Sequence, residues 1–571
     1  MTVLVLPPTP AAFAKATWDD IAPYYDELAD RPLSSETTDS WLQAWSTLEE
    51  LLTEAAALAM IAYTSDTSNA ERAADHLRFS TEILPQAEER SVGLARRLLD
   101  SGFTRPDMET TIRRFRTASA IFREANVPIF AEVEEHSATY QRITGSMTAR
   151  WEGVELPLPQ LQPFLKSRDR SVRERAWLAA TEPYIVQRDT LSALFNTMFA
   201  LRQRAAANAG FADFRDYSFP SKFRFDYTPA DCGRFHDAVE AAVVPAVERL
   251  YTERRQRLAL DSLRPWDLQV EPERPEPLRP FETEAELVAR GKAAFERVSP
   301  ELGAEFQRMI DERLLDLESR KGKAPGGYCE TLHYRGRPFI FMNAVGLVDD
   351  VNTLLHEAGH AFHAFASHAQ PLIWQRHPGS EAAELASMSM ELLAAPHLDG
   401  PNGFYAADEA QTAEIEHLED VLVALPHIAS VDAFQHWVYT SGEGHDGAAR
   451  DAAWLRIRAR FERGVDWSGL DRERIARWYR QLHIFLYPFY YIEYGLAQLG
   501  ALQVWRNSIR DPSAAVQRYR QALALGATTS LPAMYATAGA TLTFDAATMR
   551  SLVAAVEERL ATLRAGLPER A

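Results

Sequence analysis

The chain has 571 residues, 46% hydrophobic and 25% charged, with a formal net charge of -19. That length exceeds what one core normally serves, so two or more lobes are expected. The acidic balance argues against a nucleic-acid partner, whose phosphates need a basic surface, and no apolar run approaches the length that spans a membrane.

At the start, "MTVLVLPPTPAAFAKATWDD" lacks a basic first segment and its apolar run stops at Pro7. It does not read as a signal peptide, so a cytoplasmic location is expected. Apolar residues at three- and four-residue steps predict helices over 40–63, 190–210, 234–260 and 549–566. Gly210 and Gly566 stand where helix C-caps belong. Five prolines in 261–287 rule out one helix there and predict a long connection, ordered by Trp266 and Phe281. The two cysteines, Cys232 and Cys329, form no zinc-type spacing and are expected to be reduced thiols.

In 321–352, Gly326 and Gly327 permit unusual backbone angles. "RPFIFMNA" (337–344) reads as a strand. As an edge strand it would hold an extended peptide by strand addition, which makes Phe341 and Asn343 candidate substrate contacts. Asp349 or Asp350 can cap the helix that follows.

That helix carries "LLHEAGHAFH" (354–363). His356 and His360, four residues apart, lie one turn above the other and can share one ion. Glu357 is offset by roughly 100° and can reach a water on that ion without being a ligand. This H-E-x-x-H pattern predicts two zinc ligands and a general base. Gly359 costs about 1 kcal/mol inside a helix, which points to a packing requirement. A third protein ligand is needed. Helix "GSEAAELASMSMELL" (379–393) aligns Glu381, Glu384, Met388 and Glu391 on one face of an otherwise apolar segment. One of these carboxylates should ligate and the others orient the histidines. His363 is expected to pack rather than ligate, and His368 and His377 are read as surface or loop residues.

The aromatic segment "HIFLYPFYYIEYG" (483–495) holds His483, Tyr487, Tyr490, Tyr491 and Tyr494. Most of these rings fit a core helix, yet a phenol that stays neutral can also stabilise a developing oxyanion.

Together these motifs resemble the oligoendopeptidase F and thimet oligopeptidase family of zinc peptidases, in its bacterial Pz-peptidase-like branch. "GKAPGGYC", "PFIFMNAVG", "LLHEAGHAFH", "EAAELASMSMEL" and "HIFLYPFYYIEYGLAQLGALQVW" follow in the family's order over 322–505. "SRDRSVRERAWLAA" and "AGFADFRDYSF" extend a weaker likeness back to about residue 167. The resemblance implies a mainly α fold, with two helical lobes around a deep substrate cleft and a small β-sheet beside the zinc helix. It suggests an N-terminal helical region over 1–115, a helical lobe bordering the cleft over 116–230, and a catalytic domain over 231–571. It implies one Zn2+ per chain on His356, His360 and Glu384, with Glu357 as base and Glu381 and Glu391 supporting. His483 and Tyr494 would hold the oxyanion. Tyr490, Tyr491 and the Gly326–Gly327 loop would contact substrate. The implied reaction is hydrolysis of internal bonds in oligopeptides. A zinc carboxypeptidase of similar build and a non-catalytic peptide-binding protein are the alternatives. The sequence assigns no oligomeric state.

Overall fold

A computed structural model describes residues 5–272 and 278–567. Met1–Leu4 of the leader reading and 273–277 of the proline-rich connection lie outside the described residues. The fold is mainly α-helical, with two small sheets among the described residues.

The helices form largely where periodicity places them. They span Thr38–Ser65, Arg188–Asn208, Ser380–Ala394 and Ala546–Gly566. Gly210 follows its helix at φ 87°, a left-handed residue past the C-terminus. Gly566 differs: it is still helical, and Leu567 is the cap. The predicted helix over 234–260 is two helices, Pro229–Ala242 and Val244–Arg257. Pro245 is the cause, since its ring lacks an N–H and clashes with the preceding turn. The connection after Leu260 ends earlier than expected, at a helix over Glu284–Val298 capped by the Thr283 side chain. Trp266 and Phe281 are buried in it.

Strand Arg337–Ala344 forms as predicted, but it is the centre of its sheet rather than an edge. It pairs in parallel with Leu315–Glu318 and antiparallel with Tyr328–Leu332. Both flanks of its backbone are therefore occupied, and strand addition there is ruled out. Phe341 is fully buried, stacked under the Tyr328 ring with Lys323 over its face. The edges are Leu315–Glu318, whose Leu317 N–H is taken by the Glu284 side chain at 2.9 Å, and Tyr328–Leu332.

The sheet leads into helix Val348–Ser367. Asp350, in its first turn, accepts from the Val345 and Leu347 N–H groups, each at 2.8 Å. This helix packs on Ser380–Ala394, which in turn lies against Tyr491–Arg510. The largest apolar core gathers these helices. An N-terminal core around Trp41, Trp45 and Phe115 closes onto Leu372 and Trp374. No helix among the described residues is long and apolar enough to cross a membrane. Both cysteines are unpaired.

Candidate metal centre

Helix Val348–Ser367 and helix Ser380–Ala394 cross closely because Gly359 has no side chain. A Cβ at Gly359 would stand 2.5 Å from the Ser387 Cα and 2.8 Å from the Ala386 carbonyl oxygen. The packing requirement anticipated for this glycine is thus the neighbouring helix backbone. The close approach sets Glu384 opposite the two histidines. Its Oε2 lies 3.4 Å from His356 Nε2 and 3.8 Å from His360 Nε2. The three donor atoms fall within 4.8 Å of one another. A tetrahedral ion with bonds of about 2.0–2.1 Å needs donor separations of roughly 3.3–3.4 Å, so two nitrogens and a carboxylate at these spacings fit zinc.

The outer atoms of the trio are also held. Glu391 Oε1 accepts from His356 Nδ1 at 2.7 Å, and His417 lies 3.5 Å from the other Glu391 oxygen. The Tyr490 hydroxyl donates to Glu384 Oε1 at 2.9 Å. Although burial opposes ionisation, the two imidazoles and Tyr490 hold the Glu384 carboxyl at about 2. Burial lowers His360 to about 4. Burial, reinforced by Glu384 and opposed by His356, pushes Glu357 up to about 7.

Glu381 departs from expectation. It accepts from the Tyr227 hydroxyl at 2.6 Å and lies 3.7 Å from Arg224 Nε. It shares a helix face with Glu384, but its buried partners belong to another part of the core.

The trio opens into a cavity of about 610 Å³. Gly327, His356, Glu357, His360, Glu384, His483, Tyr487, Tyr490 and Tyr494 are in its wall. Gly327 sits over Glu357: a Cβ there would be 3.7 Å from Glu357 Oε1. Asn343 donates to the Ala324 and Gly326 carbonyls at 2.7 and 2.9 Å, so it shapes the glycine loop. Asn343, Gly326 and Phe341 do not line the cavity, and neither does Tyr491, whose hydroxyl is taken by Gln481 at 2.5 Å. His363 is buried in the wall with Nε2 unpartnered. His368 and His377 also line the cavity, and His377 Nε2 is 2.8 Å from His333 Nε2.

Three residues that sequence reasoning missed orient His483. Arg458 Nη1 lies 3.0 Å from His427 Nδ1, and arginine can only donate. His427 Nε2 must then carry the proton that meets Gln481 Oε1 at 3.2 Å. The Gln481 amide is left to donate to His483 Nδ1 at 3.4 Å. The chain of donors fixes His483 as the neutral tautomer with Nε2–H free. Burial, opposed by Glu384, lowers its pKa to about 4, so it stays neutral at physiological pH. Tyr490 is positioned by Phe489, a bulky residue at φ 62°. Such a conformation costs about 1–3 kcal/mol and persists only when its surroundings impose it. Here Gln435 accepts the Phe489 N–H at 3.1 Å, Arg224 donates to its carbonyl, and its ring is fully buried.

The model of peptidase family M3 matches residues 164–554, and that of the peptidase M3 N-terminal domain matches 10–120. The chain belongs to peptidase family M3. Oligopeptidase PepF of Bacillus subtilis is 24% identical over 380 residues, covering 64% of this chain and 53% of that protein. The chain therefore spans about half the length of that relative. The chromosomal oligoendopeptidase F of Lactococcus lactis is 25% identical over 42% of this chain and 38% of its own. Among solved structures, Pz peptidase A with an inhibitor superposes on this M3 family member at a TM-score of 0.87. It is 27% identical, with 98% of each chain covered.

Proposed function

We propose that this M3 family member is a zinc-dependent endopeptidase that hydrolyses internal bonds of short oligopeptides. The observation that carries the reading is the convergence of His356, His360 and Glu384, with Glu357 beside them, in one cavity wall. Those three residues would hold one zinc ion per chain. Bound there, zinc supplies Lewis acidity, polarising a carbonyl and bringing the pKa of a ligated water toward neutrality.

The chain's own residues do the rest. An extended substrate pairs with the free edge of Tyr328–Leu332, of which Tyr328, Cys329 and Thr331 face the cavity. Glu357 takes the proton from the attacking water and passes it to the leaving amine. His483 Nε2–H and the Tyr494 hydroxyl donate to the carbonyl oxygen as it becomes anionic. Tyr490 is committed to Glu384 and keeps that carboxylate in place.

Arg376 favours internal cleavage over removal of C-terminal residues. Among the described residues lining the cavity it is the one Arg or Lys. It is already engaged by Glu50 at 3.1 Å and by the Gln370 carbonyl at 2.8 Å, so it offers no free cation to a terminal carboxylate. The test is cleavage of an end-blocked fluorogenic peptide, with and without a chelator, followed by product analysis. Internal cuts abolished by the chelator are expected. Cleavage that needs a free C-terminus would replace the reading with a carboxypeptidase, and no cleavage with zinc bound would leave a peptide-binding protein.

A further inference from the structure

Two helices behind the Phe489 turn face each other with chemistry that peptide hydrolysis does not use. Cys232 and His236 stand four residues apart on Pro229–Ala242. Asp432 and His436 stand four apart on the long helix Ala407–Thr440. Residues so spaced share one helix face, and here the two faces meet. The ligand atoms of Cys232, Asp432 and His436 lie within 4.8 Å of one another. His236 donates from Nε2 to Asp432 Oδ2 at 2.8 Å. His436 Nε2 lies 3.4 Å from that oxygen, the same spacing as His356 to Glu384.

The group is buried and incomplete. Cys232 and Asp432 are 0% exposed. Asp432 Oδ1 and His436 Nε2 are both buried without a hydrogen-bond partner. Buried polar atoms in native proteins are nearly always satisfied, and an exception asks for an ion or another explanation. One thiol, one carboxylate and one imidazole form a donor set that suits zinc-class cations. Phe235 and Phe489 border the histidines, and the nearby Arg224 is engaged through Nη2 by Glu493 at 2.5 Å while its Nε and Nη1 have no hydrogen-bond partner.

We propose that Cys232, Asp432 and His436 bind a second, structural divalent cation of the zinc class, with His236 orienting the Asp432 carboxylate. Binding ionises the thiol, and its proton leaves to solvent. The cation would clamp Pro229–Ala242 to Ala407–Thr440. It would also fix the His436 ring, whose centroid is 5.3 Å from that of Phe489, under the turn that presents Tyr490.

The probe is Co2+ alone, added to the full chain after stripping with a chelator. Thiolate ligation gives a thiolate-to-cobalt charge-transfer band in the near ultraviolet, which the histidine and carboxylate donors of the first site cannot produce. The parent chain is expected to take up two equivalents and show the band. Cys232→Ser should lose the band, and Cys329→Ser should keep it. The double variant His356→Ala, His360→Ala should keep the band while losing one equivalent, which separates this site from the proposed catalytic one. A folded parent that binds one equivalent without the band, or a band that disappears with Cys329→Ser, would overturn the proposal. It would leave the peptidase reading untouched.

Discussion

Among single residues, the sharpest division is between those that would hold the ion and the one that would move the proton. Glu384 faces both histidines and Glu357 faces the cavity. Glu384→Ala is expected to lose zinc in metal analysis. Glu357→Gln should keep it and lose about 10²–10⁴-fold in turnover, the usual range for a general base. Near-parent turnover in zinc-loaded Glu357→Gln would remove the base. The two tyrosines divide in the same way. Tyr490→Phe takes a donor from Glu384, so zinc affinity should fall by roughly 10–100-fold. Tyr494→Phe should keep zinc and lower kcat and kcat/KM together by about 10²–10³-fold. A Tyr494→Phe enzyme at the parent rate would withdraw that role. The H-E-x-x-H spacing was legible in the sequence because a four-residue step and a shared face are local properties. The choice among Glu381, Glu384 and Glu391 was not. Helix periodicity puts all three on one face, and only the distant Arg224 and Tyr227 claim Glu381.

Elements were legible in proportion to how local their causes are. Helix-length apolar periodicity marked most helices, but the weight of Pro245 within 234–260 was missed. The strand at Arg337–Ala344 was visible, whereas its central place was not: strand order depends on partners far along the chain, and an apolar run looks the same at an edge or in the middle. Helix contact makes Gly359 a test of packing. On an isolated helix, Gly359→Ala would stabilise by about 1 kcal/mol. Here the added Cβ meets the Ser387 and Ala386 backbone. The expected result is a loss of about 1–3 kcal/mol in denaturant unfolding, with weaker zinc retention as Glu384 is pushed away. A stabilised Gly359→Ala protein would show that the helices part freely. Gln481 tests the link from the Arg458 helix to the catalytic segment. Gln481→Leu removes the hydrogen bonds to His427, His483 and Tyr491. It should lower kcat with zinc retained, while His483→Ala added to it should cost less than His483→Ala alone. Additive losses would mean that Gln481 does not act through His483.

For the whole molecule, buried neutral histidines tie folding to pH. His427 is the cleanest case, since it lies away from the metal trio. Burial, with the Arg458 and Arg477 charges, lowers it from 6.5 to about 3, against smaller opposing effects of Gln481 and Glu462. The unfolded chain therefore takes up this proton near pH 6.5 while the folded chain does not. Stability from His427 is fully present above that pH and is lost as pH falls toward 3. One pKa unit corresponds to about 1.36 kcal/mol, so lowering the pH from about 7.5 to about 5 should cost close to 2 kcal/mol through this residue. His427→Gln keeps a neutral acceptor for Arg458 and cannot titrate. Other lowered histidines, such as His483, are common to both proteins and cancel in the comparison. Urea unfolding at the two pH values, at equal metal saturation, should show a loss about 2 kcal/mol smaller in His427→Gln than in the parent. Equal losses would mean that His427 accepts its proton in the folded state. Its Nδ1 could then no longer accept from Arg458, and that contact would have to open, while Nε2–H still met Gln481.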